Sequence, residues 1–218
     1  MTDARQRLSH LIELATTNAP ENRRTLAVEL CDLLLDWPSH YPPAMREPFE
    51  ALLEKIVRMI DADTRRALAE KLGAREETPL PLLNEFYFDA PSETRDAIVL
   101  RNALLEDGTQ PELPNADEGA ILSAARNTAN GEFTASFAKM LGIEPATAER
   151  ILHDHSARAL AIVCKGAHLG RATFSALALL TESGNGAADT RERLSSFDAV
   201  PLTAAERLLD YWRTKRAA

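Results

Sequence analysis

Residues 151–170, ILHDHSARALAIVCKGAHLG, contain most of the histidine and cysteine side chains in this sequence, which are the types that bind metals or act in catalysis. The stretch holds three of the five histidines, His153, His155 and His168, and one of the two cysteines, Cys164. Imidazole and thiolate groups are common zinc ligands, and both also act as bases or nucleophiles in enzymes. The stretch could therefore form a metal centre, a catalytic centre or the packed interior of a helical protein.

The spacing of these residues argues against a metal centre. If a helix covers Ala157–Ala167, Cys164 and His168 are four residues apart and are the candidate metal ligands. A zinc site needs three or four converging ligands, but His153 lies ~16 Å from Cys164 along a helix axis. The other cysteine, Cys31, is distant in sequence. We therefore expect no metal, with Cys164 in the core and His168 at a helix end.

No complete catalytic pattern is present elsewhere in the sequence. The patterns Gly-x-Ser-x-Gly and Gly-x-x-x-x-Gly-Lys are missing, and Ser-x-x-Lys occurs once, at residues 136–139, without the Ser-Asp-Asn and Lys-Thr-Gly motifs that accompany it in enzymes. Glu149 and Asp154 could form an acid pair, but nothing distinguishes them from an ordinary solvated helix face. The sequence thus predicts no catalytic residue, no cofactor and no small-molecule ligand.

Two similar helical hairpins surround the histidines. In residues 137–152, FAKMLGIEPATAERIL, the small Ala138 allows two helices to cross closely and Gly142 suits a left-handed turn between them. Residues 163–178, VCKGAHLGRATFSALA, repeat this pattern 26 residues later, with His168 at the glycine position. We expect two helix-turn-helix-like hairpins, with His168 as a turn residue and the HDH sequence as their connector.

Because such hairpins occur in DNA-binding proteins, DNA binding is the alternative function. The 163–178 hairpin is the better candidate for it, and the 137–152 hairpin is the weaker one. A recognition helix presents polar and basic side chains at its start. The candidate DNA contacts are Lys165, Arg171, Thr173 and Ser175. However, residues 132–182 contain five basic and five acidic side chains, and the whole chain has a formal net charge of −8. This balance opposes binding to a polyanion, so we expect the hairpins to be structural.

Helical periodicity dominates the rest of the chain. Segments such as FEALLEKIVRMI place apolar residues at three- and four-residue spacing, and no run of alternating β-branched residues occurs. The predicted fold class is therefore all-α. NRRTLAVEL (22–30) matches TRRALAEKL (64–72) at a spacing of 42, and ETRDAIVL (93–100) continues the match at a spacing of 30. These spacings suggest degenerate HEAT-like helix-pair repeats, in which each pair needs neighbours to bury its apolar face.

One segment marks a domain boundary. Residues 106–118, EDGTQPELPNADE, contain five acids, two prolines and no basic residue, which is typical of a solvated connection. The sequence therefore predicts an N-terminal helical repeat region at 1–107 and a C-terminal helical domain at 115–218. Within the repeats, we expect Arg65 and Arg95 at equivalent positions, each near an acidic residue or the carbonyls at a helix end.

These features favour a non-enzymatic, cytoplasmic protein-interaction module, with a regulatory or scaffold role. No secretory signal and no membrane-length apolar run is present in the sequence, so we expect a soluble protein with reduced thiols. Its partner would be another protein. The candidate contact residues are Phe86, Tyr87 and Phe88. A single helix face cannot bury three successive aromatic rings, so one of them could be an exposed anchor, although core packing is the favoured use of these rings.

Two stretches resemble the alphaproteobacterial family catalogued as domain of unknown function 2336. The first is LAEKLGAREETPLPLLNEFYFDAPSETRDAIVL, and the second begins at ILSAARNTANGEF and continues through both hairpins to RATFSALALL. The resemblance covers most of residues 20–182. It implies an all-α body with HEAT-like repeats at its start, here shorter than in longer members. It implies no catalytic residues.

Overall fold

The computed structural model describes residues 10–15, 19–73, 75, 78–105, 116–127, 130–181 and 187–214. All regular structure in these ranges is helical, without a β-strand, and the prediction of an all-α fold is confirmed. The chain divides into two compact units, Met1–Ile98 and Val99–Ala218. This division falls inside a helix, eight residues before the acidic segment, of which residues 106–115 lie outside the described residues.

The first unit consists of α1 and the helices that pack beside it. The elements are α1 (Pro20–Leu35), a 3₁₀ turn (Pro43–Met45), α2 (Arg46–Val57), α3 (Ala62–Gly73), α4 (Leu80–Glu85) and α5 (Ser92–Leu104), which continues into the second unit. Helix α1 packs on α2 and α3, and α4 packs on the same two helices. Leucines dominate the core, because each helix has one apolar face and must cover it with a neighbour.

Helices α1, α3 and α5 begin at residues 20, 62 and 92. Their first residues are therefore 42 and 30 positions apart, the same spacings as those between the repeated sequence segments. The fourth residue of each is an arginine, and its amide donates to the carbonyl four residues earlier. The equivalent apolar positions Leu26, Leu68 and Ile98 are all buried. The three matched segments therefore adopt the same local structure.

The arginines of α3 and α5 both bind the 88–90 turn that precedes α5. Arg65 donates from Nε and Nη2 to Oδ2 of Asp89, at 2.9 and 2.6 Å, and from Nη1 to the carbonyl of Val57, the last residue of α2, at 3.3 Å. Arg95 donates to two carbonyls of the 88–90 turn, at 3.0 and 2.9 Å. The predicted acidic or helix-end partner is confirmed for Arg65, whereas the carbonyls that accept from Arg95 belong to a turn and not to a helix end.

The aromatic cluster packs mostly into the core. Phe86 and Tyr87 are 0% exposed, and Phe88 is half-buried against Tyr87, with ring centroids 5.2 Å apart. The three residues lie in a turn after α4, where successive side chains point in different directions and the first two reach the core. Phe86 and Tyr87 therefore have the core role that the sequence favours, and Phe88 is the one ring of the three that keeps an exposed part.

The second unit surrounds one buried helix. After the end of α5 its elements are α6 (Glu118–Asn127), α7 (Asn130–Leu141), α8 (Pro145–Leu152), α9 (Arg158–Gly166), α10 (Arg171–Leu180), α11 (Ala187–Ala199) and α12 (Leu202–Thr214). Seven of the nine residues of α9 are buried, and α8, α10, α11 and α12 all contact it. Helices α9 and α12 cross so closely that a Cβ at Gly166 would lie 2.6 Å from the carbonyl oxygen of Ala205. Within the described ranges, the structure contains no helix of the length and apolarity that a bilayer crossing requires.

Candidate functional site

The two predicted hairpins, α7–α8 and α9–α10, have the same turn geometry. Gly142 and His168 both have positive φ, at 73° and 56°. In each turn the next amide donates to the carbonyl five residues earlier, Ile143 to Ala138 at 3.0 Å and Leu169 to Cys164 at 2.8 Å. This is the hydrogen bond that closes a helix ending in a left-handed residue. The prediction that His168 is a turn residue is confirmed.

The weak metal-ligand candidates, Cys164 and His168, have different surroundings. Cys164 is fully buried in α9, and burial raises the pKa of its thiol far above the ordinary range, which disfavours the thiolate that would bind a metal. His168 is partly exposed, with Nε2 3.4 Å from Oε1 of the buried Glu206. Within the described part of the chain, no three side chains of the metal-binding types gather around a common point.

The HDH sequence forms the exposed connector between the hairpins, as predicted. His153 and His155 are both exposed, and Nδ1 of His153 lies 2.8 Å from the carbonyl oxygen of Glu149. Asp154 caps the start of α9, where its Oδ2 accepts a hydrogen bond from the amide of Ala159 at 2.9 Å. The aspartate therefore has a structural role, since a side-chain carboxylate satisfies a donor at a helix start.

Lys165, the first candidate DNA contact, points to a neighbouring helix end. Its Nζ donates to the carbonyl oxygens of Phe197 and Val200, at 2.7 and 2.5 Å, and lies 5.0 Å from the centroid of the Phe197 ring. These carbonyls lie at the end of α11, where the negative end of the helix dipole attracts a cation. The lysine is half-buried and so does not supply the exposed charge that phosphate binding requires.

The other three candidates do not form a recognition surface. Arg171 is exposed, but its Nη1 lies 2.5 Å from Oδ2 of Asp198. Thr173 is 1% exposed and donates to Oε2 of Glu118 at 3.1 Å, and Ser175 is half-buried. The structure therefore contradicts the DNA-binding arrangement, which needs all of these side chains to project from one face.

The packing of α10 explains why the polar candidates cannot project together. Phe174 and Leu177 are completely buried, as a structural hairpin requires. Because these residues point toward α9 and its neighbours, Thr173 beside Phe174 is also turned inward. Solvent is reached at the two ends of α10, by Arg171 and Ala172 at its start and by Leu179 and Leu180 at its end.

The sequence interpretation missed two residues that organise this region. Glu118, at the start of α6, accepts hydrogen bonds from the amide of Gly170 and the hydroxyl of Thr173, and so caps α10 from 52 residues away. Arg193 on α11 is 7% exposed and donates to the carbonyls of His155 and Ala178, at 3.1 and 3.0 Å. No local pattern marks either residue, because their partners are distant in sequence.

Basic side chains at helix ends recur throughout the second unit. Arg213 donates from Nε to the carbonyl of Leu141, the last residue of α7, at 2.6 Å. Lys165 of α9 binds the end of α11, and Arg193 of α11 binds the end of α10. Three helices thus have a cation from another helix near their C-terminal carbonyls. These cations stabilise the fold and are directed toward backbone oxygens.

The clearest exposed feature is a leucine face at the end of α5. Leu100 and Leu104, one turn apart, are 57% and 68% exposed, and Leu105 beyond the helix end is 42% exposed. Ile98 and Asn102 on the other side of the helix are buried. We call Leu100, Leu104 and Leu105 the leucine face. It is a candidate contact surface, because large apolar side chains at helical spacing are usually covered.

Comparison with known proteins finds a family match for one region of the chain. Neither the curated proteins nor the solved structures contain a match to the chain. Residues 112–210 match the family described as an uncharacterised protein conserved in bacteria (DUF2336), which confirms the family resemblance over this region. The matched segment includes both hairpins and most of α12, and it begins after the end of α5. The chain is therefore similar to this bacterial family over residues 112–210.

Proposed function

We propose that this protein is a non-enzymatic, cytoplasmic protein-interaction module, with a regulatory or scaffold role. In this proposal, α1 to α5 form HEAT-like helix pairs and the leucine face of α5 binds the partner. The observation that carries the proposal is the exposure of Leu100 and Leu104 at 57% and 68%, one helical turn apart. The equivalent positions of Arg23, Arg65 and Arg95 at the starts of three helices support the repeat assignment.

The leucine face fits an amphipathic helix. Covering a leucine side chain contributes about 1.5–3 kcal/mol, so two leucines at adjacent turns provide a substantial part of a binding free energy. A helix with apolar residues three and four apart presents the matching spacing. The last helix of a repeat stack has no following repeat to cover it, which leaves such a face available.

The charges beside the leucine face indicate a basic partner. Glu93 and Asp96 on α5 are both exposed, and Asp96 lies one turn before Leu100. We therefore expect the partner helix to have lysine or arginine beside its apolar face, because complementary charges accelerate and orient association. DNA is a poorer match, since Lys165 and Arg213 are directed to backbone carbonyls and Arg171 to the carboxylate of Asp198.

The test is a crosslinking and reconstitution experiment. A photoreactive residue at position 104 captures the partner from extract, and the identified protein is then purified and titrated against the full chain. We expect Leu100→Ser together with Leu104→Ser to weaken this binding at least ~10-fold, in line with the loss of two buried leucines. The matched control is Met59→Ser, which removes an apolar side chain that is 51% exposed on a turn after α2.

Two outcomes contradict the proposal. Equal affinity of the captured protein for the wild type and the double variant would show that the leucine face does not bind it. A concentration-dependent dimer of the purified chain that disappears in the double variant would assign the leucine face to a second copy. Unfolding temperatures of the variants, measured in parallel, show whether lost binding comes from lost folding.

A further inference from the structure

The carboxylate of Glu206 is buried without the hydrogen bonds that a buried charge usually has. Glu206 lies in the second turn of α12 and is 5% exposed. Its Oε2 atom has no hydrogen-bond partner among the described residues, and its Oε1 atom lies 3.4 Å from Nε2 of His168. Burying a carboxylate is costly unless an opposite charge or hydrogen bonds compensate it. The charge of the His168 imidazole therefore bears on the stability of this region.

The backbone of His168 is also unusual. Its φ is 56°, a conformation that a residue with a Cβ rarely adopts, at the position where the first hairpin has Gly142. The amide of Leu169 closes this turn onto α9 at 2.8 Å, and the imidazole, 41% exposed, reaches across to α12. Strained backbone persists where the surrounding structure holds it, and it often occurs at switch regions. The strained φ and the contact with Glu206 thus meet in one residue.

The charged side chains around this pair on other helices are engaged elsewhere. On α9, Nζ of Lys165 donates to two carbonyl oxygens at the end of α11. On α10, Nη1 of Arg171 lies 2.5 Å from Oδ2 of Asp198, which belongs to α11. On α6, the carboxylate of Glu118 accepts a hydrogen bond from the amide of Gly170. The partners of these four side chains are therefore groups other than Glu206.

The ionisable groups nearest in sequence to the pair are engaged or neutral. On α12, Arg207 donates to the carbonyl of Asn102 at 2.6 Å, and Asp210 interacts electrostatically with Arg213. The thiol of Cys164, one turn before His168, stays protonated because burial raises its pKa far above the ordinary range. Within the described part of the chain, His168 is thus the basic side chain within ion-pair distance of Glu206.

We propose that His168 and Glu206 form a pH-sensitive latch between the α9–α10 turn and α12. Histidine changes its charge between pH 5 and 8. At the acidic end of this range, an imidazolium compensates the buried carboxylate and holds the turn to α12. As pH rises, the imidazole loses its proton and the carboxylate loses its compensating charge. The stabilising contribution is therefore present at the acidic end and is lost toward pH 8. This latch is independent of the leucine face.

The first test compares stability at pH 5.5 and pH 8. Urea denaturation gives the unfolding equilibrium constant of the full chain, of His168→Asn and of Glu206→Gln. Asparagine tolerates a positive φ, and glutamine nearly matches glutamate in shape, so both variants remove the charge with little change in the backbone. Between the two pH values, we expect the constant of the wild type to rise about 5-fold more than that of either variant, because one partner of the pair is partly exposed. The matched control, His155→Asn, removes an exposed histidine of the connector and should follow the wild type.

Amide hydrogen exchange of the wild type tests the latch without a substitution, and it decides the question if a variant fails to fold. The amide of Leu169 closes the turn at His168, and the amide of Ile143 closes the equivalent turn at Gly142. The second turn has no histidine at its left-handed position and serves as an internal control. After correction for the intrinsic pH dependence of exchange, the protection of Leu169 should fall about 5-fold more than that of Ile143 between pH 5.5 and pH 8.

Three results would overturn the latch. An equal pH dependence of stability in the wild type and His168→Asn would show that the charge of His168 does not contribute. The wild-type pH dependence in Glu206→Gln would show that His168 acts through another group. An equal loss of protection at Leu169 and Ile143 would show that pH acts on the whole unit and not on this turn.

Discussion

Gly142 and His168 adopt the same left-handed backbone conformation, with φ of 73° and 56°, at equivalent points of two hairpins 26 residues apart. Glycine adopts this conformation without steric cost, whereas a residue with a Cβ pays roughly 1–2 kcal/mol. At the second hairpin His168 adopts this conformation despite its Cβ, and its imidazole lies 3.4 Å from the buried carboxylate of Glu206. The same turn is therefore made in two ways, one by a conformationally free residue and one by a residue with a side-chain contact.

The turn at Gly142 can be tested by Gly142→Ala. An added Cβ would lie 3.7 Å or more from Arg213, an ordinary contact, so only the backbone conformation opposes the substitution. We expect a loss of about 1 kcal/mol in the free energy of unfolding, measured by urea denaturation with an unchanged slope. Gly142→Asn should lose less, because asparagine tolerates this region. Equal stability of the wild type and Gly142→Ala would contradict the assigned turn.

The crossing of α9 and α12 predicts a larger effect at Gly166. In Gly166→Ala the new Cβ would lie 2.6 Å from the carbonyl oxygen and 2.9 Å from the carbonyl carbon of Ala205. Since backbone cannot move aside as a flexible side chain can, the helices must separate, at a cost of about 3 kcal/mol. Thermal unfolding of the two proteins measures the difference. A midpoint within experimental error of the wild type would mean that the helices cross at a greater distance.

Lys165 and Arg171 should differ in their contributions to stability. Lys165→Met keeps the aliphatic stem but removes both hydrogen bonds to the end of α11, and we expect it to cost about 1.5–3 kcal/mol. Arg171→Met removes an exposed ion pair with Asp198 and should cost less than about 1 kcal/mol. Urea denaturation of both variants checks the order. The opposite order would restore Lys165 as a candidate surface contact.

The cap of α3 predicts a dependence of stability on pH. The pKa of the Asp61 carboxyl is held well below its ordinary range, first by the amide and hydroxyl of Thr64, at 2.9 and 2.8 Å, and then by Arg24. A lowered pKa means that this contribution is complete above the unfolded value of about 3.9 and is lost as pH falls toward the folded value. Between pH 6 and pH 2.5, the stability of Asp61→Ala should therefore fall less steeply than that of the wild type. Parallel pH profiles would refute the role of this cap.

The features that could be predicted from the sequence are those set by local chemistry. The turn at His168 follows from its alignment with Gly142, and the HDH connector follows from its polar composition. The starts of α1, α3 and α5 follow from repeated arginine-containing segments. In each case the residues that determine the structure are within a few positions of one another.

The features that could not be predicted depend on distant partners. The sequence makes Lys165 a candidate DNA contact because it shows a basic residue in a hairpin. It does not show the carbonyl partners of that residue, which lie 32 and 35 residues away. The sequence places Thr173 among the polar residues that could face solvent, but its hydroxyl is buried and its acceptor, Glu118, lies 55 residues earlier.

The burial of α9 also determines the order in which the second unit can form during synthesis. Seven of its nine residues are buried, and its most extensive neighbour, α12, is the last helix described. A ribosome that adds ~5–20 residues per second completes α9 seconds before α12 exists. Over that interval α8, α10 and α11 can contact α9, but the face of α9 that α12 covers stays open. The second unit therefore completes its core only once α12 has emerged.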